Sequence, residues 1–136
     1  AQKLAEKPLT IVGDGNQTRD FVHVNDLVDA IIKAVQKGKN GEIYNVGSGK
    51  EISINFVANL IGGDKFNVPK RPGETNRSLA DISKIKKELN WQPKITIEKG
   101  IEMLLKNISS WKEAKIWTPE KIKEETKTWF EYLNKG

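Results

Sequence analysis

The stretch VPKRPGETNRSLADISKIKKELNWQPK (residues 68–94) joins a rigid turn to a short amphipathic helix. Pro72 and Gly73 are typical of a tight turn, and Arg71 and Arg77 lie on either side of them. A planar guanidinium group carries five N–H donors and can hold a phosphate through two hydrogen bonds at once. The turn therefore indicates a site for an anionic ligand on the surface of a folded domain.

Outward from this stretch, the sequence predicts short strands that alternate with helices. Runs with β propensity at 9–12 and 20–24 surround a Gly-Asp-Gly turn, which favours a hairpin or paired strands. Further strands are predicted at 42–46 and 65–69. Helices are predicted to begin at Asn25, Ser53, Asp81, Thr96 and Thr118.

Apolar residues at helical spacing predict which helix faces are buried. The helix over 25–37 carries one such face, with Val24, Leu27, Val28, Ile31 and Val35. The short helix after Asp81 is expected to turn Ile82, Ile85 and Leu89 inward. The last helix is expected to bury a stripe of Ile122, Trp129, Phe130 and Leu133.

The C-terminal segment has a strong helix-start signal and an unusual aromatic content. Thr118 suits the N-cap, Pro119 suits the first helical position, and Trp117 can pack on Ile122 as a hydrophobic staple. Three of the four tryptophans follow residue 110. We therefore expect this tail to dock on the body of its own domain, or, as the weaker alternative, on a second subunit.

Composition narrows the class of protein. The 136 residues suffice for one domain or for part of a larger one, and no apolar run is long enough to cross a membrane. The chain lacks cysteine, which excludes disulfides and thiolate metal sites and suits a cytoplasmic location. The net charge of +5 comes largely from lysines interspersed with glutamates. Because arginines are few and aromatic residues do not alternate with basic ones, nucleic-acid binding is disfavoured.

The catalytic and cofactor motifs tested on this sequence fail. GDGNQT (residues 13–18) begins like a dinucleotide fingerprint, but Thr18 replaces the third glycine and a strand is predicted to follow. GSGKE resembles the end of a phosphate-binding loop, but Glu51 replaces the hydroxyl residue that would hold magnesium. His23 is the only histidine, so a metal site built on it is disfavoured. Motifs alone therefore predict no catalytic residue.

Three segments taken together carry a family resemblance. PLTIVGDGNQTRDFVHVNDLVDAI, GEIYNVGSGKEISI and RPGETNRSLADISKIKKELNWQPKITIEKGI occur in order over residues 8 to about 105. This succession resembles the C-terminal part of NAD-dependent nucleotide-sugar epimerases and dehydratases, the extended short-chain dehydrogenase/reductase family typified by UDP-glucose 4-epimerase. The resemblance implies an α/β, or α+β-like, fragment of short strands with four to five helices that lacks the NAD-binding Rossmann half. It implies a substrate-binding region at 1–110. The Trp-rich helical tail at 111–136 lies beyond the resemblance and is expected to pack on that region.

The resemblance also implies a set of ligand contacts. Arg19 and Arg71 match the two arginines that hold the substrate diphosphate, and Glu74 matches an acidic residue, more often Asp, that contacts the ribose. Val12 stands where many members carry Phe or Tyr. The implied contacts to the base are Thr10, Val12 and Phe21.

The family's catalytic parts have no match in this sequence. No Tyr-x-x-x-Lys pair is present, since Tyr44 is followed four positions later by Ser48. The chain is therefore expected to be inactive alone and to pair with an N-terminal Rossmann domain that carries NAD. By itself, it is expected to bind a nucleotide-diphosphate sugar and no cofactor or metal. Without that domain, the apolar helix 25–37 and strand 42–46 are expected to promote self-association. The alternative interpretation is a non-catalytic nucleotide-binding or interaction module.

Overall fold

Short strands alternate with helices in the computed structural model, which describes residues 1–133. This part of the chain contains four strands and six α-helices, so the mixed α/β class is confirmed. The elements in chain order are β1 Leu9–Val12, β2 Thr18–Arg19, α1 Val24–Lys37, β3 Ile52–Ser53, α2 Ile54–Ile61, β4 Lys65–Val68, α3 Ser83–Leu89, α4 Ile97–Lys106, a 3-10 helix Ile108–Trp111, α5 Pro119–Glu125 and α6 Lys127–Leu133. No helix within residues 1–133 has both the length and the apolar character needed to span a bilayer.

The strands form two separate two-stranded sheets. β1 pairs in parallel with β4, with Leu9 opposite Lys65, and β2 pairs antiparallel with β3, with Arg19 opposite Ile52. The predicted pairing of 9–12 with 20–24 is therefore wrong. A parallel pair needs a long crossover between its strands, and here the crossover includes α1 and α2.

Two predicted strands, 20–24 and 42–46, do not form ladders with any strand of the described residues. Their alternating apolar residues are used for packing instead, since Val22, Tyr44 and Val46 lie against the hydrophobic core. Alternation shows that one side of a segment is buried, but it does not show that a neighbouring strand exists.

The core is centred on the stretch that follows the Pro-Gly turn. Ile82, Ile85, Leu89 and Trp91 are each at most 5% exposed and pack with Ala30 of α1. The inward face predicted for α3 is therefore confirmed. The indole Nε1 of Trp91 donates a hydrogen bond of 3.1 Å to the backbone oxygen of Asp26, which links this core to the first turn of α1.

The predicted buried face of α1 is wrong. Val24 is 62% exposed and Val35 is 83% exposed, while Asp26 and Ala30 are the buried positions of the helix. The carboxylate Oδ2 of Asp26 accepts hydrogen bonds from the backbone N–H groups of Lys94 and Ile95, which stabilises its burial. Helical spacing identifies an apolar face, but the partner that covers such a face lies elsewhere in the fold.

Helix starts follow the expected capping residues in most places. Ser53, Thr96 and Thr118 each accept a hydrogen bond from the backbone N–H three residues later, as the sequence predicts. The N-cap of α1 is His23 instead of Asn25, because the His23 imidazole Nδ1 accepts from the Asn25 N–H at 3.2 Å.

The C-terminal helix is divided in two. The hydroxyl of Thr126 donates to the backbone oxygen of Ile122 at 2.7 Å, and α5 ends just before this residue. This division contributes to a helix count above the predicted four to five. Residues 134–136 of the predicted tail, and the side chain of Leu133 at the end of its apolar stripe, lie outside the described part.

Candidate functional site

Arg19 and Glu74, which are 55 positions apart in the chain, meet in an ion pair. Arg19 ends β2, and its Nη2 lies 3.1 Å from Oε1 of Glu74, while its Nη1 donates to the backbone oxygen of Thr18 at 2.8 Å. The two side chains are only 27% and 20% exposed. The structure therefore brings together two of the residues that the sequence places at a ligand site.

The second carboxylate oxygen of Glu74 has no hydrogen-bond partner in the described part of the chain. Oε2 is buried and receives no donor from the described residues. A buried carboxylate oxygen left without a donor is costly, so it favours a donor supplied from outside the chain, such as a hydroxyl group. Glu74 also lines a cavity of about 570 Å³ together with Val12, Lys70 and Arg77.

Thr10, Val12 and Arg71 line a second cavity, of about 630 Å³. The first two residues belong to β1, whose register against β4 is set by four opposed pairs of residues. Arg71 follows β4, and its Cζ lies 5.5 Å from the centre of the Trp129 ring. Val12 contributes to both cavities.

Arg19 and Phe21 line neither of these cavities, although Arg19 is hydrogen-bonded to Glu74, which lines the first one. Phe21 lines two grooves beside the first turn of α4, where its neighbours include Ile95 and Ile97. The structure therefore does not place Phe21 in either cavity that contains Val12. The assignment of Phe21 to the base remains a prediction.

Arg77, for which the sequence indicated no definite ligand, forms an ion pair with Glu51. Its Nε donates to Oε1 of Glu51 at 2.8 Å and its Nη2 contacts Oε2, while the hydroxyl of Thr18 also donates to Oε1 at 2.9 Å. The Arg77 guanidinium first, and the Thr18 hydroxyl second, lower the pKa of Glu51 to about 2. This arrangement links the turn after β4 to the β2–β3 sheet.

We expect Arg77→Ala to raise the pKa of Glu51 from about 2 towards its usual value of 4.5, because the largest stabilising contact of the carboxylate is lost. The pKa of Glu51 is lower in the folded protein than in the unfolded chain. The stabilisation that its contact with Arg77 gives the folded protein is therefore present above the unfolded pKa and disappears as the pH falls through about 2. Carboxyl-carbon NMR titration of both proteins measures the shift. An unchanged pKa in the variant would contradict the assignment.

Asp20 organises the loops around the site, a role that its sequence context did not reveal. Its carboxylate accepts hydrogen bonds from the backbone N–H groups of Ser48, Gly49 and Ala80 and from the Ser48 hydroxyl. Burial raises the pKa of Asp20, but the hydrogen bonds from Ser48, Ala80 and Gly49 outweigh it and hold the pKa below its usual value. The Gly-Ser-Gly sequence at 47–49 was the available signal, because free backbone N–H groups in such a loop favour a carboxylate.

The described residues offer no group of three His, Asp or Glu side chains that could hold a metal ion. The polar groups of the two cavities include guanidinium, ammonium, amide, hydroxyl and carboxylate groups. Cationic and carboxylate groups side by side suit a ligand that carries both phosphate and hydroxyl groups.

Several known proteins are similar to this chain in sequence or in fold. A dTDP-glucose 4,6-dehydratase of Xanthomonas campestris is 35% identical over 119 residues, covering 76% of this chain and 34% of the relative. The structure of UDP-glucose 4-epimerase from Thermotoga maritima with UDP-glucose superposes with a TM-score of 0.75 at 30% identity, over 82% of this chain and 38% of that one. The structure of UDP-glucuronic acid 4-epimerase from Bacillus cereus, in complex with UDP-glucuronic acid and NAD, superposes with a TM-score of 0.74 at 33% identity. The match covers 80% of this chain and 37% of that one.

These matches define the class as the nucleotide-sugar epimerases and dehydratases of the extended short-chain dehydrogenase/reductase type, of which this fold represents the C-terminal part. Residues 1–104 match the GDP-mannose 4,6 dehydratase family, and the chain belongs to that family. It spans about a third of the length of the curated relatives that it matches.

Proposed function

We propose that this chain is the substrate-binding part of an NAD-dependent nucleotide-sugar epimerase or dehydratase, and that it holds the nucleoside and diphosphate of a UDP-type sugar. The observation that carries the proposal is the Arg19–Glu74 pair, in which one carboxylate oxygen is bound by the guanidinium and the other is buried without a donor from residues 1–133. A ribose hydroxyl would supply that donor, and a neighbouring phosphate would accept from the guanidinium.

The two arginines have complementary roles in this proposal. A diphosphate carries about two negative charges, and two guanidinium groups can each hold one phosphate through paired hydrogen bonds. Arg71 is placed by the turn at Pro72 and Gly73, whose positive φ of 72° suits glycine. Arg19 is placed by the β2–β3 ladder. Thr10 and Val12 would then face the nucleoside from β1.

Chemistry on the sugar requires groups that this sequence does not contain. The chain carries no Tyr-x-x-x-Lys pair and no dinucleotide fingerprint, so none of its residues is assigned to NAD. In the proposed enzyme, NAD supplies hydride transfer and belongs to a separate Rossmann domain. The exposed apolar face of α1, with Val24 at 62% and Val35 at 83% exposure, supports packing against such a domain.

The same missing motifs favour a second candidate, a non-catalytic nucleotide-binding module with this fold. Such a module would bind the nucleotide through Arg19, Arg71 and Glu74 and would need no hydride carrier. The two candidates share the binding site and differ in whether a Rossmann domain restores turnover. Addition of a dinucleotide-binding domain and an assay for epimerised or dehydrated sugar separate them.

Calorimetric titration of the chain with UDP-, TDP-, GDP- and CDP-sugars, and with NAD, tests the binding proposal. We expect one nucleotide-sugar to bind selectively and NAD not to bind. Arg71→Ala is expected to weaken that binding by about tenfold to a hundredfold, because charge-assisted hydrogen bonds to the diphosphate are lost.

Lys112→Ala is the matched control, since it also removes one positive charge but from an exposed position outside both cavities. It should leave the affinity within about twofold, because a distant exposed charge is screened by salt. Absence of binding to every nucleotide-sugar, or an equal loss in both variants, would contradict the proposal.

A further inference from the structure

Two tryptophans from the C-terminal segment line the same cavity as Thr10, Val12 and Arg71. Trp117 and Trp129 are each 43% exposed, so a large part of each indole remains in contact with solvent. Indole rings bury a large apolar area when a flat partner covers them. A small planar ligand in this cavity of about 630 Å³ would therefore cover the exposed indole surfaces.

The aromatic segment is held against β1 by Gln2. The side-chain Nε2 of Gln2 donates both to the hydroxyl of Thr10, at 2.9 Å, and to the backbone oxygen of Trp117, at 2.5 Å. The Oε1 of the same side chain accepts from the backbone N–H of Thr10 at 3.3 Å. One amide group thus fixes the start of the tail relative to the strand that lines the cavity.

Positive charge accompanies both rings. The guanidinium of Arg71 lies 5.5 Å from the centre of the Trp129 ring, and the ammonium of Lys115 lies 4.9 Å from the centre of the Trp117 ring. Lys115 also contacts Glu125 at 3.6 Å, which offsets part of its charge. Arg71 has no such carboxylate partner among the described residues, so it remains available to an anion next to the two indole rings.

We propose that Trp117 and Trp129 form the aromatic walls of the nucleobase site, with the base on the indole surfaces and the diphosphate directed to Arg71. This inference rests on the proposed function and adds to it residues beyond the family match, which ends at 104. Val12 has no ring with which to face a base, whereas every nucleobase offers a flat surface for stacking on indole. Trp129 has a second effect, since it positions the Arg71 guanidinium.

The test compares UDP with inorganic pyrophosphate on the full chain, because only UDP carries a base. Trp117→Leu is expected to weaken UDP binding by about tenfold and to leave pyrophosphate binding within about twofold. Trp117→Phe, which keeps an aromatic surface, should recover most of the loss. Trp129→Leu is expected to weaken both ligands, because Arg71 loses the ring beside it.

Trp111→Leu is the matched control, since this tryptophan is 52% exposed and lines a different groove. Thermal melting followed by circular dichroism verifies that each variant is folded, and quenching of tryptophan fluorescence by UDP reports stacking in the aromatic variants. The inference fails, while the proposed function stands, if the wild type binds UDP and Trp117→Leu binds it equally well. The same holds if Trp111→Leu loses as much UDP affinity as Trp117→Leu. If the wild type binds neither UDP nor any nucleotide-sugar, both fail.

Discussion

Trp91→Ala is expected to lower the free energy of unfolding by about 3–5 kcal/mol, the cost typical of removing a large buried aromatic side chain. Trp91 is 1% exposed and packs with Ile85, Leu89 and Ala30 at the centre of the core. Its removal would leave a cavity and would also leave the Asp26 backbone oxygen without the indole donor. Urea unfolding followed by fluorescence and circular dichroism measures the change.

Trp111→Ala provides the comparison for this measurement. Trp111 is 52% exposed at the end of the 3-10 helix, so its loss is expected to cost less than about 1 kcal/mol. Equal destabilisation by the two substitutions would show that Trp91 is not the centre of the fold's stability.

Asp20→Ala is expected to destabilise the protein by about 3 kcal/mol, because several hydrogen bonds to its ionised carboxylate are lost together while water replaces part of them at this half-buried position. The N–H groups of Ser48, Gly49 and Ala80 would lose their acceptor. Gly47→Ala should disturb the same hydrogen bonds, because a Cβ at position 47 would lie 2.5 Å from Oδ2 of Asp20. Urea unfolding of both variants measures these losses.

The contribution of Asp20 to the free energy of unfolding should be larger at neutral pH than in strong acid. Its pKa is lower in the folded protein than its usual value of 3.8, so the stabilisation is present above the unfolded pKa and is lost as the pH falls through the folded pKa. Asp64→Ala is the control, because Asp64 is exposed and its side chain forms no hydrogen bond or ion pair with the described residues. A stability loss in Asp20→Ala that is as large in strong acid as at neutral pH would contradict this account.

The sequence predicted several parts of the candidate site. The Pro-Gly turn that carries Arg71 is a local feature, because Pro72 and Gly73 determine it within a few residues. The resemblance named Arg19 and Glu74 as ligand contacts, and the fold brings them within 3.1 Å of each other. Their meeting depends on the β2–β3 ladder and on the turn after β4, which contacts of long sequence separation decide.

Other parts of the site could not be read from the chain. The aromatic content of the tail indicated docking, but only the fold places Trp117 and Trp129 beside Thr10 and Val12. Phe21, assigned to the base by resemblance, lies in other grooves. Arg77 is engaged by Glu51, which is 26 positions away. Each of these outcomes depends on which side chains approach from distant segments, and local patterns do not encode that approach.

By itself, the sequence determined the helix starts at Ser53, Thr96 and Thr118, the inward face of α3 and the α/β class, because capping and short-range periodicity act within one or two turns of backbone. Tertiary structure alone decided the parallel pairing of β1 with β4 and the exposure of the α1 stripe. The physical reason is that an apolar face or an unpaired strand edge is satisfied by whichever distant partner the chain brings to it, and the same local pattern is compatible with several partners.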